Sequence, residues 1–261
     1  MTPAATPDWP IDVVRDRLIG DWWLYQRRGG HRTSTDDFLT AWFATTHASR
    51  PVHRYLDLGC GVGSVLLMTA HAVRPQQSLG IEAQLQSVTL AQRSVSELPD
   101  EAPTIIVEHG DIRQPTVAAG TFDLVTGSPP YFPLNTGVLP TDAQRRACRF
   151  ELRGGVEDYC RAAAHAMSPE GTFVLVFQTL FDPRVQAAAQ AVALTLVARA
   201  DVRMRNDHTQ PLLTVYVFRK HPPRGPLGSQ PSIDARKLCV RRSDGEWTRE
   251  YCAARAVMGY R

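Results

Sequence analysis

Short apolar runs alternate with amphipathic stretches from Arg54 onward, and this order predicts the architecture of the chain. The runs are continuous and brief, whereas the stretches between most of them carry apolar residues at helical spacing. Short buried strands that alternate with helices are typical of an α/β fold with a mainly parallel, doubly wound sheet. The predicted strands are Tyr55–Leu58, Leu79–Glu82, Thr104–Glu108, Phe122–Thr126 and Thr172–Gln178, and the predicted helices are Ser64–Val73, Gln84–Leu98, Val156–Met167 and Arg184–Ala193.

The residues before Arg54 predict a strand followed by a helix. Asp21–Gln26 is strand-like and ends at a pair of glycines. Ser34 or Thr35 can cap the next helix, because the two acids that follow favour its positive N-terminus. Residues 1–9 are rich in Pro, Thr and Ala, which indicates a loosely packed end of the chain.

The chain after residue 193 predicts an antiparallel edge and a C-terminal addition. Leu194–Met204 and Leu212–Arg219 are two long strand signals separated by a polar loop, which indicates an antiparallel pair at one edge of the sheet. His221–Gln230 is rich in Pro and Gly and is interpreted as a linker to a basic segment, Lys237–Arg242, and to a helix from Thr248. The predicted division is an N-terminal extension at 1–20, a central domain at 21–220, and a C-terminal segment at 221–261 that packs on the same domain.

Composition is typical of an intracellular globular protein. Of the 261 residues 43% are hydrophobic, which suffices for a substantial core, and the net charge is only +3. The five cysteines are scattered and form no C-x-x-C pair, which argues against a zinc site or disulfide framework and favours a reducing compartment. No apolar run approaches membrane-span length, so we predict a cytoplasmic protein without metal or membrane contact.

Basic residues concentrate towards the C-terminus. From Arg219 to Arg261 ten Lys and Arg stand against four Asp and Glu, a local charge of +6. Such a stretch is either a solvated surface or a face that binds phosphates.

The glycine-rich segment Asp57–Gly63 connects a strand to a helix, which is where such sheets bind nucleotides. Its glycines permit a tight turn and a close approach of a ligand to the main chain. A dinucleotide fingerprint, G-x-G-x-x-G, would need glycine at 64, where Ser64 stands. Asp57 would repel a pyrophosphate but suits a ligand with an ammonium group.

Two further acids end the next two strands. Glu82 can accept hydrogen bonds from both hydroxyls of a ribose, and Asp111 can accept one from an adenine amine while Ile112 packs on its ring. Each acid alone would be an ordinary cap or turn residue. Together with the glycine loop, they indicate ribose, adenine and an amino-acid end without phosphate. We therefore predict S-adenosyl-L-methionine as the cofactor, bound at Asp57, Gly59, Gly61, Gly63, Glu82, Asp111 and Ile112.

Ser128-Pro129-Pro130-Tyr131 follows the fourth strand signal and is suited to hold a flat group with an exocyclic amine. The Ser128 hydroxyl, which we also place beside the cofactor, and the Pro129 carbonyl can accept hydrogen bonds from the amine. Pro130 holds that carbonyl in an extended geometry. Tyr131 can stack on the base, worth about 1–3 kcal/mol, with Phe132 as a second wall, although both rings could be core residues. No general base of shifted pKa is expected.

Several segments resemble a known family. The glycine loop, Glu82, Asp111 and the Ser-Pro-Pro-Tyr segment occur in the order found in class I methyltransferases that modify exocyclic amines. The stretch Gly30-His31-Arg32-Thr33-Ser34-Thr35-Asp36 is similar to the Gly-x-Arg-Phe-Ser-x-Asp pattern of the bacterial tRNA(Val) adenine N6-methyltransferases, which modify the adenine just 3′ of the anticodon. Arg149-x-Glu151 and Trp247-Thr248-x-Glu250-Tyr251 also resemble that family, so the resemblance runs from Leu24 to Tyr251.

The resemblance implies a Rossmann-like class I methyltransferase fold and an N-methyltransferase that acts on adenine N6 in the anticodon loop of tRNA. It also implies that Arg32 and Thr33 lie beside the cofactor. The chain departs from the family at Ser128, where Asn is usual, and at Thr33, where Phe is usual. Since Ser at the first position is commoner in cytosine N4 enzymes, that base stays open as the acceptor, as does a protein glutamine side chain. A catalytically silent RNA-binding or partner-activating module of the same fold also stays open.

Arginines just after the aromatic motif are candidates for substrate contact. Four arginines follow the motif closely, at 145, 146, 149 and 153, and if this stretch is helical Arg145, Arg146 and Arg149 share a face. These arginines and the C-terminal basic segment could contact the phosphates of an RNA loop. The alternative is a solvated helix face on which Glu151 pairs with Arg149. The histidines at 31, 109 and 208 show no metal spacing and are interpreted as surface or packing residues. We predict a monomer whose partner is tRNA, with a partner protein left open.

Overall fold

The computed structural model describes residues 9–114, 117–134, 136–220 and 232–260. The linker predicted at 221–230 lies outside these ranges, as does the loosely packed end predicted at 1–9 apart from its last residue. The strands are β1 (Val13–Ile19), β2 (Trp22–Arg27), β3 (Arg54–Leu58), β4 (Gln77–Glu82), β5 (Thr104–His109), β6 (Phe122–Gly127), β7 (Met167–Gln178), β8 (Thr195–Arg205), β9 (Leu213–Arg219) and β10 (Asp234–Arg241). The α-helices are α1 (Thr35–His47), α2 (Ser64–Val73), α3 (Leu85–Ser96), α4 (Ala143–Arg149), α5 (Val156–Ala166), α6 (Asp182–Ala191) and α7 (Arg249–Val257). None of these helices combines the length and the apolar character that crossing a membrane requires.

Eight strands form one mixed sheet in the order β10-β8-β9-β7-β6-β3-β4-β5. The strands from β7 to β5 are parallel, and β9 is antiparallel to both of its neighbours, β7 and β8. The predicted α/β class and the antiparallel pair of β8 and β9 are therefore confirmed. The pair does not form the edge, however, because β10 lies outside it and pairs in parallel with β8.

Helices cover both faces of this sheet. Successive side chains of a strand point to opposite faces, so in β3 Tyr55 belongs to one core cluster and Leu56 to the other. The first cluster packs under α1, α2, α3 and α7, and the second packs under α5 and α6. Burial on both faces explains why the central strands are continuous apolar runs in the sequence.

The N-terminal hairpin changes the predicted domain boundary. Strand β1, which the sequence analysis did not predict, pairs antiparallel with β2 from Val13 opposite Arg27 to Ile19 opposite Trp22. A boundary at residue 20 would divide this hairpin, and Leu18, Ile19, Trp22 and Leu24 all belong to the core. The hairpin is therefore part of the domain rather than an extension of it.

Candidate active site

The carboxyl ends of β3, β4, β5 and β6 meet over a cavity that we call the inner cavity. The chain runs outward from β3 to β4 and β5 and then returns to place β6 on the other side of β3. Such a switch point leaves a crevice at the strand ends. The cavity measures about 860 Å³, including open solvent at its mouth. Eight of the predicted site residues line it: Asp57, Gly59, Gly61, Glu82, Asp111, Ile112, Ser128 and Pro130.

Asp57 points one carboxylate oxygen into the protein and leaves the other without a partner. Oδ1 accepts a hydrogen bond of 2.6 Å from the Thr126 hydroxyl, which in turn lies 2.7 Å from the Tyr55 hydroxyl. Oδ2 is buried and has no hydrogen-bond partner among the described residues. Burial raises the pKa of Asp57 to about 7. The site therefore offers a carboxylate that a cationic ligand would stabilise in its ionised form.

The glycine loop is held by Glu82. Its Oε2 accepts a hydrogen bond of 2.9 Å from the Gly61 main-chain N–H, and its Oε1 accepts one of 2.7 Å from the main-chain N–H of Gln84. Gly61 has a φ of +56°, and a Cβ built there would meet nothing within 4 Å. The main chain at Gly61 thus faces open space, where a ligand could approach it. At Gly59 the fit is tight, because a Cβ would lie 2.1 Å from the Tyr159 hydroxyl.

The other residues predicted to contact the cofactor differ in whether they line this cavity. Asp111 lines the cavity, yet its carboxylate already binds the Arg113 guanidinium at 2.5 Å. Gly63 adopts φ +93° at the N-cap of α2, where it shapes the turn. Arg32 and Thr33 do not line the inner cavity, because Arg32 donates to Asp16 at 2.8 Å and the Thr33 N–H donates to Gln26. The structure therefore separates those two residues from the predicted cofactor site.

A second cavity, which we call the outer cavity, opens beside the first. It measures about 1290 Å³ with its open mouth and is lined by Pro129, Tyr131 and Phe132 of the predicted catalytic segment. Ser128 lines both cavities, and its buried hydroxyl oxygen has no hydrogen-bond partner among the described residues. The two cavities therefore meet at Ser128, whose hydroxyl is left unsatisfied by the described residues.

The aromatic residues of the segment are fixed by neighbours. The Tyr131 hydroxyl donates a hydrogen bond of 2.6 Å to Asp36 Oδ2, and its ring packs edge-on against Phe177 with centroids 5.4 Å apart. Phe132 packs against Phe150, and its main-chain N–H donates to the Arg149 carbonyl at 3.0 Å. Both rings line the outer cavity, so they are held in place without being sealed in the core.

The predicted arginine face is only partly formed at the outer cavity. Arg145 and Arg149 line it from α4, whereas Arg146 is not among the residues that line it. The pairing of Glu151 with Arg149 that the sequence left open is wrong, because Glu151 pairs with Arg184 at 2.6 Å. Arg149 therefore remains available to a ligand at this rim.

Three residues that line both cavities were not predicted as site residues. His31, interpreted from sequence as a surface or packing residue, instead lines both cavities, as do Asp37 and Cys148. Asp37 Oδ2 accepts a hydrogen bond of 2.9 Å from Ser64 and one of 3.2 Å from the Ser34 N–H. Burial, and then the nearby Asp36, raise the pKa of Asp37 to about 8. The only sequence signal for Asp37 was its position three residues after the helix cap, Ser34.

The inner cavity fits a nucleoside with an amino-acid end. A carboxylate with an unpaired oxygen suits an ammonium group, the open Gly61 main chain admits a close ligand, and Glu82 and Asp111 lie at the ends of the two neighbouring strands. No group of three or more His, Cys, Asp or Glu among the described residues is placed to hold a metal ion.

The known proteins that this chain is similar to agree with one another, since the following matches are all named as methyltransferases. Residues 56–136 match a family model described as "Methyltransferase domain". A tRNA1(Val) (adenine(37)-N6)-methyltransferase of Tolumonas auensis is 25% identical over 229 residues, which cover 87% of this chain and 90% of that protein. Proteins of the same name from Escherichia fergusonii and Bacteroides thetaiotaomicron are each 27% identical; they cover 77% and 66% of this chain, and 78% and 70% of their own lengths. The resemblance predicted from the motifs is therefore confirmed.

Solved structures show the same fold. A predicted O-methyltransferase from Agrobacterium tumefaciens superposes with a TM-score of 0.63 at 18% identity, covering 85% of this chain and 97% of its own. The ribosomal protein L11 methylase of Lactobacillus delbrueckii subsp. bulgaricus gives a TM-score of 0.52 at 14% identity, covering 75% and 84%. The predicted Rossmann-like methyltransferase fold is therefore confirmed.

Proposed function

We propose, from the premise that this chain is a class I S-adenosylmethionine-dependent methyltransferase, that it methylates an exocyclic base amine, namely adenine N6 in tRNA. The observation that carries the proposal is the Ser128 hydroxyl, buried and without a partner among the described residues where the inner and outer cavities meet. An acceptor placed between a cofactor cavity and a substrate cavity is suited to orient an amine towards the donor.

The residues of the inner cavity would hold the cofactor. Asp57 would take the ammonium group, Glu82 the ribose hydroxyls, and the open main chain at Gly61 would allow close contact. Asp111 and Ile112 would face the adenine ring. When bound, S-adenosylmethionine supplies an electrophilic methyl group.

The residues of the outer cavity would prepare the acceptor amine. An aromatic amine is a poor nucleophile because its lone pair is delocalised into the ring. Hydrogen bonds from its N–H groups to Ser128 Oγ and the Pro129 carbonyl would favour a pyramidal nitrogen and stabilise the charge that develops there. Tyr131 would stack on the base, and its hydrogen bond to Asp36 would fix the ring. The base must leave its own stack to enter this cavity.

The choice of tRNA rests on relatives and on charge. Proteins named tRNA1(Val) (adenine(37)-N6)-methyltransferases match this chain over 60–87% of its length. Arg145 and Arg149, both at the rim of the outer cavity, could contact the phosphates on either side of the base. Ser128 in place of the usual Asn favours cytosine N4 as the second candidate, because that position would contact the amine.

Nucleoside analysis tests the proposal. The protein is incubated with labelled S-adenosylmethionine and, separately, with unmodified total tRNA, rRNA, DNA or a protein extract. We expect label in tRNA that elutes as N6-methyladenosine. Label as N4-methylcytidine would replace adenine with cytosine, and label only in protein would support a glutamine acceptor. The absence of label from every tRNA pool would contradict the tRNA assignment.

A further inference from the structure

A third cavity, which we call the C-terminal cavity, lies between the β1–β2 hairpin, the start of α1, β10 and α7. It measures about 820 Å³, including open solvent at its mouth. Its walls combine aromatic rings with guanidinium groups, from Trp247, Tyr251, Tyr260, Arg17, Arg241 and Arg255. The proposed reaction uses none of these residues, although Trp247 and Tyr251 belong to one of the segments that resemble the methyltransferase family.

Arg255 is held between two aromatic rings. Its guanidinium carbon lies 4.0 Å from the ring centroid of Trp247 and 4.4 Å from that of Tyr260. Among the residues that the structure describes, none forms an ion pair with Arg255. Stacking fixes the planar guanidinium while leaving its N–H donors for an anion such as phosphate.

The other two arginines of the cavity are oriented by main-chain carbonyls. Arg17 donates to the Gly20 carbonyl at 2.6 Å, and Arg241 donates to the Gly245 carbonyl at 2.7 Å. Neither forms an ion pair within the described residues. Asp16, the one acid among the described residues of the lining, already accepts hydrogen bonds from Gln26 and Arg32. The cavity therefore carries uncompensated positive charge.

The aromatic wall is held in place by the cap of α7. The Thr248 hydroxyl donates to the Cys239 carbonyl at 2.5 Å and accepts from the Tyr251 N–H at 3.2 Å. This cap fixes the chain next to Trp247, whose side chain remains 39% exposed. Exposed aromatic rings beside cations are the usual means of binding single-stranded nucleic acid, because every base can stack on a ring while its phosphate meets an arginine.

The C-terminal cavity adjoins the outer cavity. Ser34 and Thr35, at the start of α1, line both. One RNA strand could therefore place the methylated base in the outer cavity and a second nucleotide in the C-terminal cavity. From charge, aromatic lining and position, we propose that the C-terminal cavity binds a nucleotide of the substrate RNA other than the methylated one. This inference rests on the proposed function in RNA.

Steady-state kinetics on tRNA test the inference with Trp247→Ala and Arg255→Gln in the full chain. We expect KM for tRNA to rise about tenfold, which is one lost stacking or charged contact, while kcat and cofactor affinity stay within about twofold. Arg255→Gln should also flatten the salt dependence of binding by about 0.7 in log–log slope, equivalent to one phosphate contact on a single strand. Trp247→Phe, which keeps an aromatic ring, should recover most of the affinity.

Trp23 and Arg15 give a matched control. Trp23 is 37% exposed, and the Arg15 guanidinium carbon lies 4.6 Å from its ring centroid, but neither residue lines the C-terminal cavity. Trp23→Ala and Arg15→Gln should leave KM for tRNA unchanged. If Trp247→Ala and Arg255→Gln change KM for tRNA no more than the two control variants do, the C-terminal cavity does not bind the substrate. The proposed function still stands in that case, as long as the wild type methylates tRNA. If the wild type methylates no RNA, the proposed function itself is wrong.

Binding of a free mononucleotide tests whether the C-terminal cavity takes a nucleotide of the substrate RNA or a nucleotide free in solution. Adenosine monophosphate is titrated into the wild type and into Arg255→Gln, with affinity measured by calorimetry. We expect binding too weak to account for the tRNA effect. Tight binding that Arg255→Gln abolishes, together with an unchanged KM for tRNA, would assign the cavity to a free nucleotide and overturn the inference.

Discussion

Ser128 lines two cavities, and its buried hydroxyl oxygen has no hydrogen-bond partner among the described residues. A buried polar atom left without a partner costs about 1–3 kcal/mol. A ligand amine that donates to it would recover this free energy only when the amine is correctly placed. The hydroxyl would thus favour productive orientation of the acceptor rather than general affinity for it.

We expect Ser128→Ala to lower kcat for tRNA methylation about 10- to 100-fold, the effect of one hydrogen bond to a group that becomes charged. Cofactor affinity, measured by calorimetry, should fall far less than kcat, because Asp57 and Glu82 are intact. Ser128→Asn, which installs the residue usual in the resembled family, should retain activity on adenine.

Ser78 supplies a control for this substitution. Its hydroxyl is also buried without a partner among the described residues, but it lies in β4 and lines none of the three cavities. Ser78→Ala should therefore leave kcat unchanged. Equal kcat for Ser128→Ala and the wild type would remove Ser128 from the proposed mechanism.

At the scale of elements, the predictions succeeded where the apolar pattern was dense. Helix α2 spans Ser64–Val73 as predicted, and the strands from β3 to β9 were predicted to within a few residues, except that β7 begins five residues earlier. Strand β10 was interpreted only as a basic segment. Its two buried apolar residues, Leu238 and Val240, are too few to distinguish a strand from a loop.

The functional residues that were missed depend on contacts that only the fold creates. Asp36 and Asp37 were interpreted from the sequence only as acids that favour the N-terminus of a helix. Asp37 does form part of the capping box of α1. Their contacts with the site span 95 residues, from Tyr131 to Asp36, and 27 residues, from Ser64 to Asp37. Arg32 is the opposite case. Its motif predicted a contact with the cofactor, but in the structure it pairs with Asp16 of β1, a strand that was not predicted.

Leu238→Ala tests whether β10 is an integral part of the domain. Leu238 is buried in the core opposite Val202 of β8, so its truncation should lower the free energy of unfolding by about 2–4 kcal/mol. Lys237→Ala, at the exposed neighbouring position, should change it by less than about 0.5 kcal/mol. Urea unfolding followed by linear extrapolation measures both. Indistinguishable losses would mean that β10 does not pack as described.

At the scale of the whole molecule, one short segment organises the three cavities. Residues 30–37 contribute His31 and Asp37 to the inner cavity and Thr33, Ser34 and Thr35 to the C-terminal cavity. All of them except Thr33 line the outer cavity. The segment is anchored near its middle, where the Thr33 N–H donates to Gln26 of the hairpin, and at its end, where Asp37 accepts from Ser64 at the start of α2. Cofactor, acceptor base and neighbouring nucleotide would therefore all be positioned against one rigid wall.

Burial of two carboxyl groups in and beside this wall makes the stability of the ligand-free protein depend on pH. Asp37 (pKa about 8) and Asp57 (pKa about 7) keep their protons in the folded state above the pH at which an unfolded chain loses them. Stability should therefore fall as pH rises, by about 2 kcal/mol between about pH 6.5 and 8. Below that window the lowered pKa values of His31, His47 and His71 act in the opposite direction.

Urea unfolding at a series of pH values measures this dependence. Asp37→Asn should remove most of the slope, since this side chain has the higher pKa of the two and titrates across the whole window. Asp244→Asn should retain the wild-type slope, because Asp244 is exposed and its pKa is lowered by hydrogen bonds from Glu246 and Arg242, so it is ionised throughout. A free energy of unfolding that is constant or rising from about pH 6.5 to 8, or an unchanged slope in Asp37→Asn, would contradict the assignment of protonated carboxyl groups to the wall between the cavities.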